Sequence, residues 1–226
     1  DVYKRQQEHY SDASSEHTVQ PGIVYISFPT ESGTLYSKQE LTELYTVCQN
    51  HNIPLFIDGA RLGYGLMAKK NDVTFEDIAN LCDVFYIGGT KVGALFGECI
   101  VILNDLYKKD FRYAIKQHGG MLAKGRMLGI QFEELFKDNR YLTISKHAID
   151  MADILTEGFQ SKGYRFYFPA ETNQIFPIFE NTKLEELSKE FAFTPWAKVD
   201  ETHTAVRFVT SFATKRENVE YLLTKI

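Results

Sequence analysis

Two apolar segments of this sequence each run directly into residues that could do chemistry. Residues 53–57 lead into Asp58 and Arg61, and residues 84–87 lead through two glycines into Lys91. In an open α/β sheet, ligands bind outside the carboxyl ends of the strands. We therefore expect a carboxylate, a guanidinium and an amine to meet at one edge of a sheet.

An acid and a lysine at neighbouring strand ends are what pyridoxal 5'-phosphate (PLP) chemistry requires. Lys91 would hold PLP as a Schiff base, and Asp58 would keep the pyridine nitrogen protonated so that the ring withdraws electrons from the substrate Cα. The freed Lys91 amine would then act as a general base. Thr90 would donate its hydroxyl to the cofactor phosphate.

Arginine is the side chain best suited to a substrate carboxylate, because its planar fork binds both oxygens. Arg207 lies between apolar residues of a predicted strand, and Arg61 follows Asp58 closely. Each residue alone also has a structural interpretation. Asp58 could cap a helix, Lys91 could lie in a surface turn, and Arg207 could face water on an edge strand. Their order and their places at strand ends favour the functional interpretation.

The composition is that of a soluble enzyme-sized protein. The chain has 226 residues, of which 44% are apolar and 24% charged, with a net charge of −5. This charge disfavours nucleic-acid and anionic-membrane surfaces, and no apolar run approaches the roughly 20 residues that span a bilayer. The three cysteines have no metal-ligand spacing and favour reduced thiols in the cytoplasm. We expect no metal site.

The first half of the chain alternates predicted strands with predicted helices. The strands are expected at 23–27, 53–57, 84–87 and 99–103. Ser37 and Glu40 form a capping box that begins the first helix. This alternation predicts a largely parallel sheet with helices on both faces.

The second half changes to long helices followed by a small mixed unit. A helical stretch is expected at 119–137, strands at 165–168, 173–179 and 206–209, and capping boxes at Thr182–Glu185 and Thr214–Glu217. We divide the chain into a large α/β domain (7–118), a connecting helix (119–145) and a small α+β domain (146–226). Residues 1–6 fit no element, so we expect them to be non-native and the natural chain to extend upstream.

Several short motifs resemble one family in the same order along the chain. They are PTESGTLY at 29–36, IDGARL at 57–62, TKVGA at 90–94, GGM at 119–121, TN at 172–173 and VRFVT at 206–210. From about residue 23 onward, the chain resembles the threonine aldolase / β-eliminating lyase family of fold-type-I PLP enzymes. The resemblance implies a PLP-dependent transferase-like fold of the aspartate aminotransferase type, incomplete at its N-terminus.

The resemblance also implies roles for individual residues. It places Asp58 on the pyridine nitrogen, Lys91 in the Schiff base, and Arg61 with Arg207 on the substrate carboxylate. It implies a homodimer or homotetramer with active sites at the subunit interface.

Three positions depart from the family's pattern. Glu31 and Phe56 stand where the family usually has histidines, one of which handles the substrate hydroxyl. We therefore expect Glu31 to bind substrate, and threonine itself is not assured as the substrate. Leu122 stands where the family has an arginine that reaches a cofactor phosphate, and we expect Lys124 to supply this charge instead. The chain would then belong to a divergent subgroup.

The favoured function is a PLP-dependent lyase acting on a β-hydroxy or β-substituted amino acid, by Cα–Cβ cleavage or β-elimination. An aminotransferase-like enzyme and a non-catalytic module remain alternatives, because fold does not choose the reaction. The resemblance implies that, in this fold, the upstream third of the protein carries the turn that binds the cofactor phosphate. We therefore expect the 226-residue chain by itself to bind PLP poorly and to be inactive, whereas its full-length parent is active.

Overall fold

A computed structural model describes residues 19–226 of the chain. Residues 1–6, expected to be non-native, lie outside the described residues. The first sheet has the strand order β1-β2-β3-β4, in which the first three strands are parallel and the fourth is antiparallel. Its strands are β1 (Val24–Ser27), β2 (Leu55–Asp58), β3 (Val84–Gly88) and β4 (Glu98–Ile102). The largely parallel sheet predicted from the sequence is thus present.

Within residues 19–226, six helices accompany this sheet. They are α1 (Lys38–Asn50), α2 (Leu62–Met67), α3 (Phe75–Asn80), α4 (Phe111–Gln117), α5 (Arg126–Phe136) and α6 (Arg140–Ser161). The capping box predicted for α1 is confirmed, because the Ser37 side chain accepts from the Glu40 amide and Glu40 reaches back to the Ser37 amide. No helix among residues 19–226 is both long and apolar enough to cross a membrane.

The two faces of the first sheet differ in their cover. Alternate side chains of a strand point to opposite faces. On one face, residues such as Ile26, Ile57 and Phe85 are buried in one cluster with side chains of α1, α2, α3, α5 and α6. On the other face, Tyr25 is 54% exposed and Ile100 is 43% exposed. The expectation that helices cover both faces is therefore not met within the described chain.

Asp58 lies on the open face of the sheet. Asp58 is two residues after Phe56 in β2, so their side chains share a face. The Phe56 ring stacks on Tyr25 with centroids 5.3 Å apart. The apolar face that helices cover begins with Leu55 and continues with Ile57. The carboxylate at the end of β2 is therefore directed away from the main core.

A second, antiparallel sheet follows α6. Its strands are β5 (Gln174–Ile175), β6 (Ile178–Glu180), β7 (Thr194–Lys198) and β8 (His203–Val209), and its helices are α7 (Asn181–Leu187) and α8 (Arg216–Lys225). β8 pairs with all three other strands. α6 connects the two units, since Ala148 packs in the first core and Phe159 in the second. It runs without interruption through the domain division expected at 145/146.

Four local predictions in the second unit are wrong. Residues 165–168 form only an isolated bridge, between Phe166 and Pro177, and the strand expected at 173–179 divides into β5 and β6 around that proline. Proline has no amide hydrogen to donate to a ladder. Neither predicted capping box forms: α7 begins before Thr182, and the Thr214 hydroxyl accepts from the Ser211 amide.

Gly88 ends β3 in a position that leaves no room for a side chain. A Cβ atom there would lie 2.2 Å from the carbonyl oxygen of Ala60. We predict that Gly88→Ala lowers the free energy of unfolding by about 2–4 kcal/mol, because backbone must move. The measurement is urea unfolding.

Gly129 provides the matched control for this prediction. It lies within α5 with no atom within 4 Å of an added Cβ. Gly129→Ala should raise the free energy of unfolding by about 0.5–1 kcal/mol, as expected for an exposed helix position. If the two variants were equally stable, the close approach at Gly88 would be refuted.

Candidate active site

The Asp58 carboxylate accepts hydrogen bonds from two strands and its own loop. Ser27 pairs with Asp58 in the register of β1 and β2, so Tyr25 lies one pleat earlier on the same face. The Tyr25 hydroxyl donates to Oδ2, and the Ala60 amide donates to Oδ1 at 2.9 Å. Tyr86 on β3 supplies another side-chain hydrogen bond. The carboxylate is therefore fixed in place by donors.

These contacts decide the charge of Asp58. Partial burial alone would raise the pKa of its carboxyl, but the hydrogen bonds from Tyr25, Tyr86 and the Ala60 amide, with the positive charge of Lys91, hold this pKa below its ordinary value. The hydrogen bond to Asp58, together with burial, raises the pKa of Tyr25 to about 12. Burial and the same carboxylate raise the pKa of Tyr86. Asp58 is therefore ionised at neutral pH and both tyrosines are protonated.

Lys91 lies at the same edge of the sheet. It is exposed, in the short 3₁₀ turn Thr90–Val92 that follows β3. Its charge contributes to the lowered pKa of Asp58, which places the ammonium within electrostatic range of the carboxylate. The two motif loops also touch through their backbones, since the Gly88 amide donates to the Gly59 carbonyl at 2.8 Å.

Arg61 and Glu31 form an ion pair beside this edge. Arg61 Nη1 lies 3.2 Å from Glu31 Oε1, and the Arg61 side chain is only 11% exposed whereas that of Glu31 is 61% exposed. Glu31 also contributes to the raised pKa of Tyr25, after the larger effects of Asp58 and burial. Glu31, Arg61 and Asp58 therefore lie in one neighbourhood.

Arg207 reaches the same neighbourhood from the second unit. Its Nη1 donates to Gln174 Oε1 at 3.4 Å, while Gln174 Nε2 donates to the carbonyl of Glu31 at 3.4 Å. The guanidinium carbon lies 5.6 Å from the ring centroid of Trp196, a cation–π arrangement. Arg207 Nε is buried and has no hydrogen-bond partner within residues 19–226. An unsatisfied buried donor calls for an explanation, and a bound anion would supply one.

Thr90 and Lys124 are placed differently from the other predicted site residues. The Thr90 hydroxyl donates to Glu98 Oε1 at 2.9 Å, and the Gly89 amide donates to Glu98 Oε2 at 2.6 Å. Lys124 is exposed in the turn before α5, and in the described part of the chain it forms no ion pair with Asp58 or Glu31. Their roles at the cofactor phosphate stay predictions.

Sequence analysis missed several residues that position the predicted ones. They are Tyr25, Tyr86, Glu98, Gln174 and Trp196. Tyr25 could have been found from the sequence in one way. The alternation of the predicted strands puts it on the same face as Asp58 once the register of the strands is known. The contact of Trp196 depends on the pairing of β7 with β8, and β7 was not predicted.

Comparison with known proteins assigns this arrangement to a family. The family model described as beta-eliminating lyase matches residues 4–182. The chain belongs to the beta-eliminating lyase family. Two curated relatives, both low-specificity L-threonine aldolases, support this: that of a Pseudomonas species is 31% identical over 188 residues, and that of Pseudomonas aeruginosa is 30% identical over 188. Each match covers 81% of this chain and 51% of the relative. The chain thus spans about half the length of the curated relatives it matches.

Solved structures agree on the fold. A Leishmania major threonine aldolase superposes with a TM-score of 0.94 at 43% identity, covering 99% of this chain and 65% of that one. A Thermus thermophilus aspartate aminotransferase superposes with a TM-score of 0.66 at 15% identity, covering 93% of this chain and 58% of that one. The predicted family and the PLP-dependent, aspartate-aminotransferase-type fold are confirmed.

Removing one donor from Asp58 should change its titration. Tyr25→Phe deletes a hydrogen bond that favours the ionised carboxyl, so we predict that it raises the pKa of Asp58. Because this pKa is lowered on folding, Asp58 stabilises the native state above its ordinary pKa and loses that contribution as pH falls through the lowered value. The variant should lose less stability over that acidic range.

Carbon-13 NMR of the Asp58 carboxyl carbon measures this pKa directly. Tyr113→Phe is the control, since Tyr113 is 76% exposed on α4. An identical Asp58 titration in wild type and Tyr25→Phe would show that the hydroxyl does not hold the carboxylate.

Proposed function

We propose that this chain belongs to a PLP-dependent lyase that cleaves the Cα–Cβ bond of β-hydroxy amino acids. The observation that carries the proposal is the Asp58 carboxylate, held ionised by its donors, within electrostatic range of the Lys91 ammonium at one sheet edge. The threonine aldolase relatives support this cleavage, and the family supports a lyase more broadly.

The residues at this edge fit PLP. Asp58 offers a negative charge suited to a protonated pyridine nitrogen, and Lys91 offers an exposed amine suited to a covalent anchor. Thr90 and Lys124 are the proposed phosphate contacts. When bound, PLP supplies the electron sink that stabilises negative charge at the substrate Cα.

The remaining side chains are proposed to bind the amino acid and move its protons. Arg207, with its free Nε, and Arg61 bind and orient the substrate carboxylate. Glu31 accepts a hydrogen bond from the substrate hydroxyl, which is the group that must lose a proton during cleavage. Lys91 exchanges a proton with the substrate Cα. Glu31 is already ion-paired with Arg61, so both would act from fixed positions.

Products separate the possible reactions. Cleavage of a β-hydroxy amino acid gives glycine and an aldehyde, β-elimination gives a 2-keto acid and ammonia, and transamination gives a new amino acid from an added keto acid. The family description favours elimination, whereas the curated relatives favour aldol cleavage. Detection of glycine and aldehyde supports the proposal, and keto-acid-dependent amino transfer alone contradicts it.

The Lys91 anchor can be tested without any substrate. After incubation of the full-length protein with PLP and reduction by borohydride, we predict a pyridoxyl adduct on Lys91, found by peptide mass spectrometry. Lys91→Ala should lose this adduct, because Lys91 is the lysine whose charge acts on the Asp58 carboxylate. Lys189→Ala, at an exposed lysine of the second unit, should retain it. Persistence of stoichiometric adduct in Lys91→Ala would refute the anchor.

Arg207 should control substrate affinity. Arg207→Gln removes the charge and should weaken the apparent affinity for amino acid about 100-fold, since a charged hydrogen bond contributes about 1.5–3 kcal/mol. Arg207→Lys keeps the charge without the planar fork and should weaken it about tenfold. The measurement is KM, or the dissociation constant of glycine. An unchanged KM in Arg207→Gln would assign the carboxylate to another residue.

We also propose that the protein is a cytoplasmic homodimer or homotetramer. Support comes from three cysteines that form no disulfide within residues 19–226 and from large exposed apolar side chains between residues 95 and 130, which include Leu95, Leu106, Leu122 and Ile130. Light scattering after size-exclusion chromatography measures the mass. A monomer at high concentration would contradict the oligomer.

A further inference from the structure

A buried tyrosine hydroxyl joins the loop that carries Asp58 to the loop that carries Lys91. Tyr141, in the first turn of α6, is only 1% exposed. Its hydroxyl oxygen accepts from the Gly63 amide at 3.1 Å, and the same hydroxyl donates to the Gly88 carbonyl at 3.1 Å. Gly63 lies in α2, directly after the Asp58 loop, and Gly88 directly precedes the Lys91 turn.

A second buried tyrosine holds the other end of the Lys91 turn. Tyr64 in α2 is 1% exposed, and its hydroxyl donates to the backbone carbonyl of Lys91. Burial raises the pKa of Tyr64 to about 12, and burial also raises the pKa of Tyr141. Both hydroxyls therefore keep their protons at neutral pH and remain donors.

Tight packing prevents this connection from shifting. A Cβ atom at Gly63 would lie 2.2 Å from Ser145 Oγ and 2.7 Å from a ring carbon of Tyr141. The Ser145 hydroxyl donates to the Tyr141 carbonyl at 2.7 Å, within α6. α2 and α6 are thus in close contact where the tyrosine enters, so its hydroxyl has a fixed position.

We propose that Tyr141 and Tyr64 are positioning residues that set the Lys91 turn against the Asp58 loop. This inference rests on the proposed function. The two hydroxyls hold carbonyls at both ends of the 88–91 turn and share α2, which leads directly from the Asp58 loop. Because an error of about 1 Å in a reacting group can cost about 100-fold in rate, such a brace matters for the amine of Lys91.

A purely structural role would have different consequences. Core hydrogen bonds of this kind stabilise the fold globally. Their loss lowers the free energy of unfolding, and hydrogen exchange then increases throughout the chain rather than in particular segments. A positioning role requires that the two motif loops loosen together while the rest of the fold keeps its protection. Local hydrogen exchange distinguishes these outcomes.

The first test needs no cofactor. In the 226-residue chain, Tyr141→Phe and Tyr64→Phe should each speed amide exchange about fivefold or more in both 59–66 and 88–94, with little change in the second unit. Tyr164→Phe deletes a hydroxyl from the second core as a control, and Val219→Ala is a destabilised control there. Unchanged exchange in either loop, or an equal increase throughout the chain, would overturn the proposal. Tyr64→Phe serves if Tyr141→Phe does not fold.

The second test uses the full-length protein, loaded with PLP. The pH midpoint of the visible band of bound PLP should move by about half a pH unit or more in Tyr141→Phe, and kcat should fall about tenfold with KM within twofold. Neither control should move the midpoint. An unmoved midpoint with normal kcat would overturn the proposal. If the wild-type full-length protein takes up no PLP yet the loops loosen as described, the proposed function fails and the positioning role of Tyr141 and Tyr64 stands.

Discussion

The close backbone contact between the ends of β2 and β3 is the constraint on which the site depends. The Gly88 amide donates to the Gly59 carbonyl at 2.8 Å, and an added Cβ at Gly59 would lie 2.0 Å from the Tyr86 carbonyl oxygen. No residue with a side chain fits at this distance. Since Asp58 immediately precedes one of these glycines and Lys91 soon follows the other, the contact brings both to one edge.

The charged side chains around this edge differ in whether they have partners. Asp58 is surrounded by hydroxyl and amide donors, and Arg61 is paired with Glu31. Within residues 19–226, Lys91 and Arg207 have no ion-pair partner, and Arg207 Nε is buried without an acceptor. Lys91 is proposed to meet the cofactor, and Arg207 the anionic substrate. This pattern suits a site that binds charged ligands.

The site residues themselves could be predicted from the sequence, whereas the residues that hold them in position could not. Asp58 and Lys91 follow apolar strands directly, so adjacency in the sequence located them. Tyr141 lies 78 residues from Gly63, and their hydrogen bond depends on how α6 packs against α2. Such a contact has no sequence signal without an alignment.

The capping boxes show the same limit on a smaller scale. The box at Ser37 forms because its partners lie in one turn and each side chain accepts from the other residue's amide. At Thr182 the box does not form, because the helix already begins at Asn181. The Asn181 amide donates to the Thr202 carbonyl in the second unit. Tertiary pairing therefore overrides the local preference. The open sheet face likewise could not be foreseen, because alternation indicates which residues share a face but not what covers it.

The proposed chemistry requires that the Lys91 ammonium and the Asp58 carboxylate share one edge of the sheet. The most direct measurement is the pKa of Asp58 in the unliganded chain, compared between wild type and Lys91→Met. Loss of the positive charge must raise this pKa, while Lys116→Met, on α4, leaves it unchanged. An identical Asp58 pKa in wild type and Lys91→Met would show that the two groups lie apart.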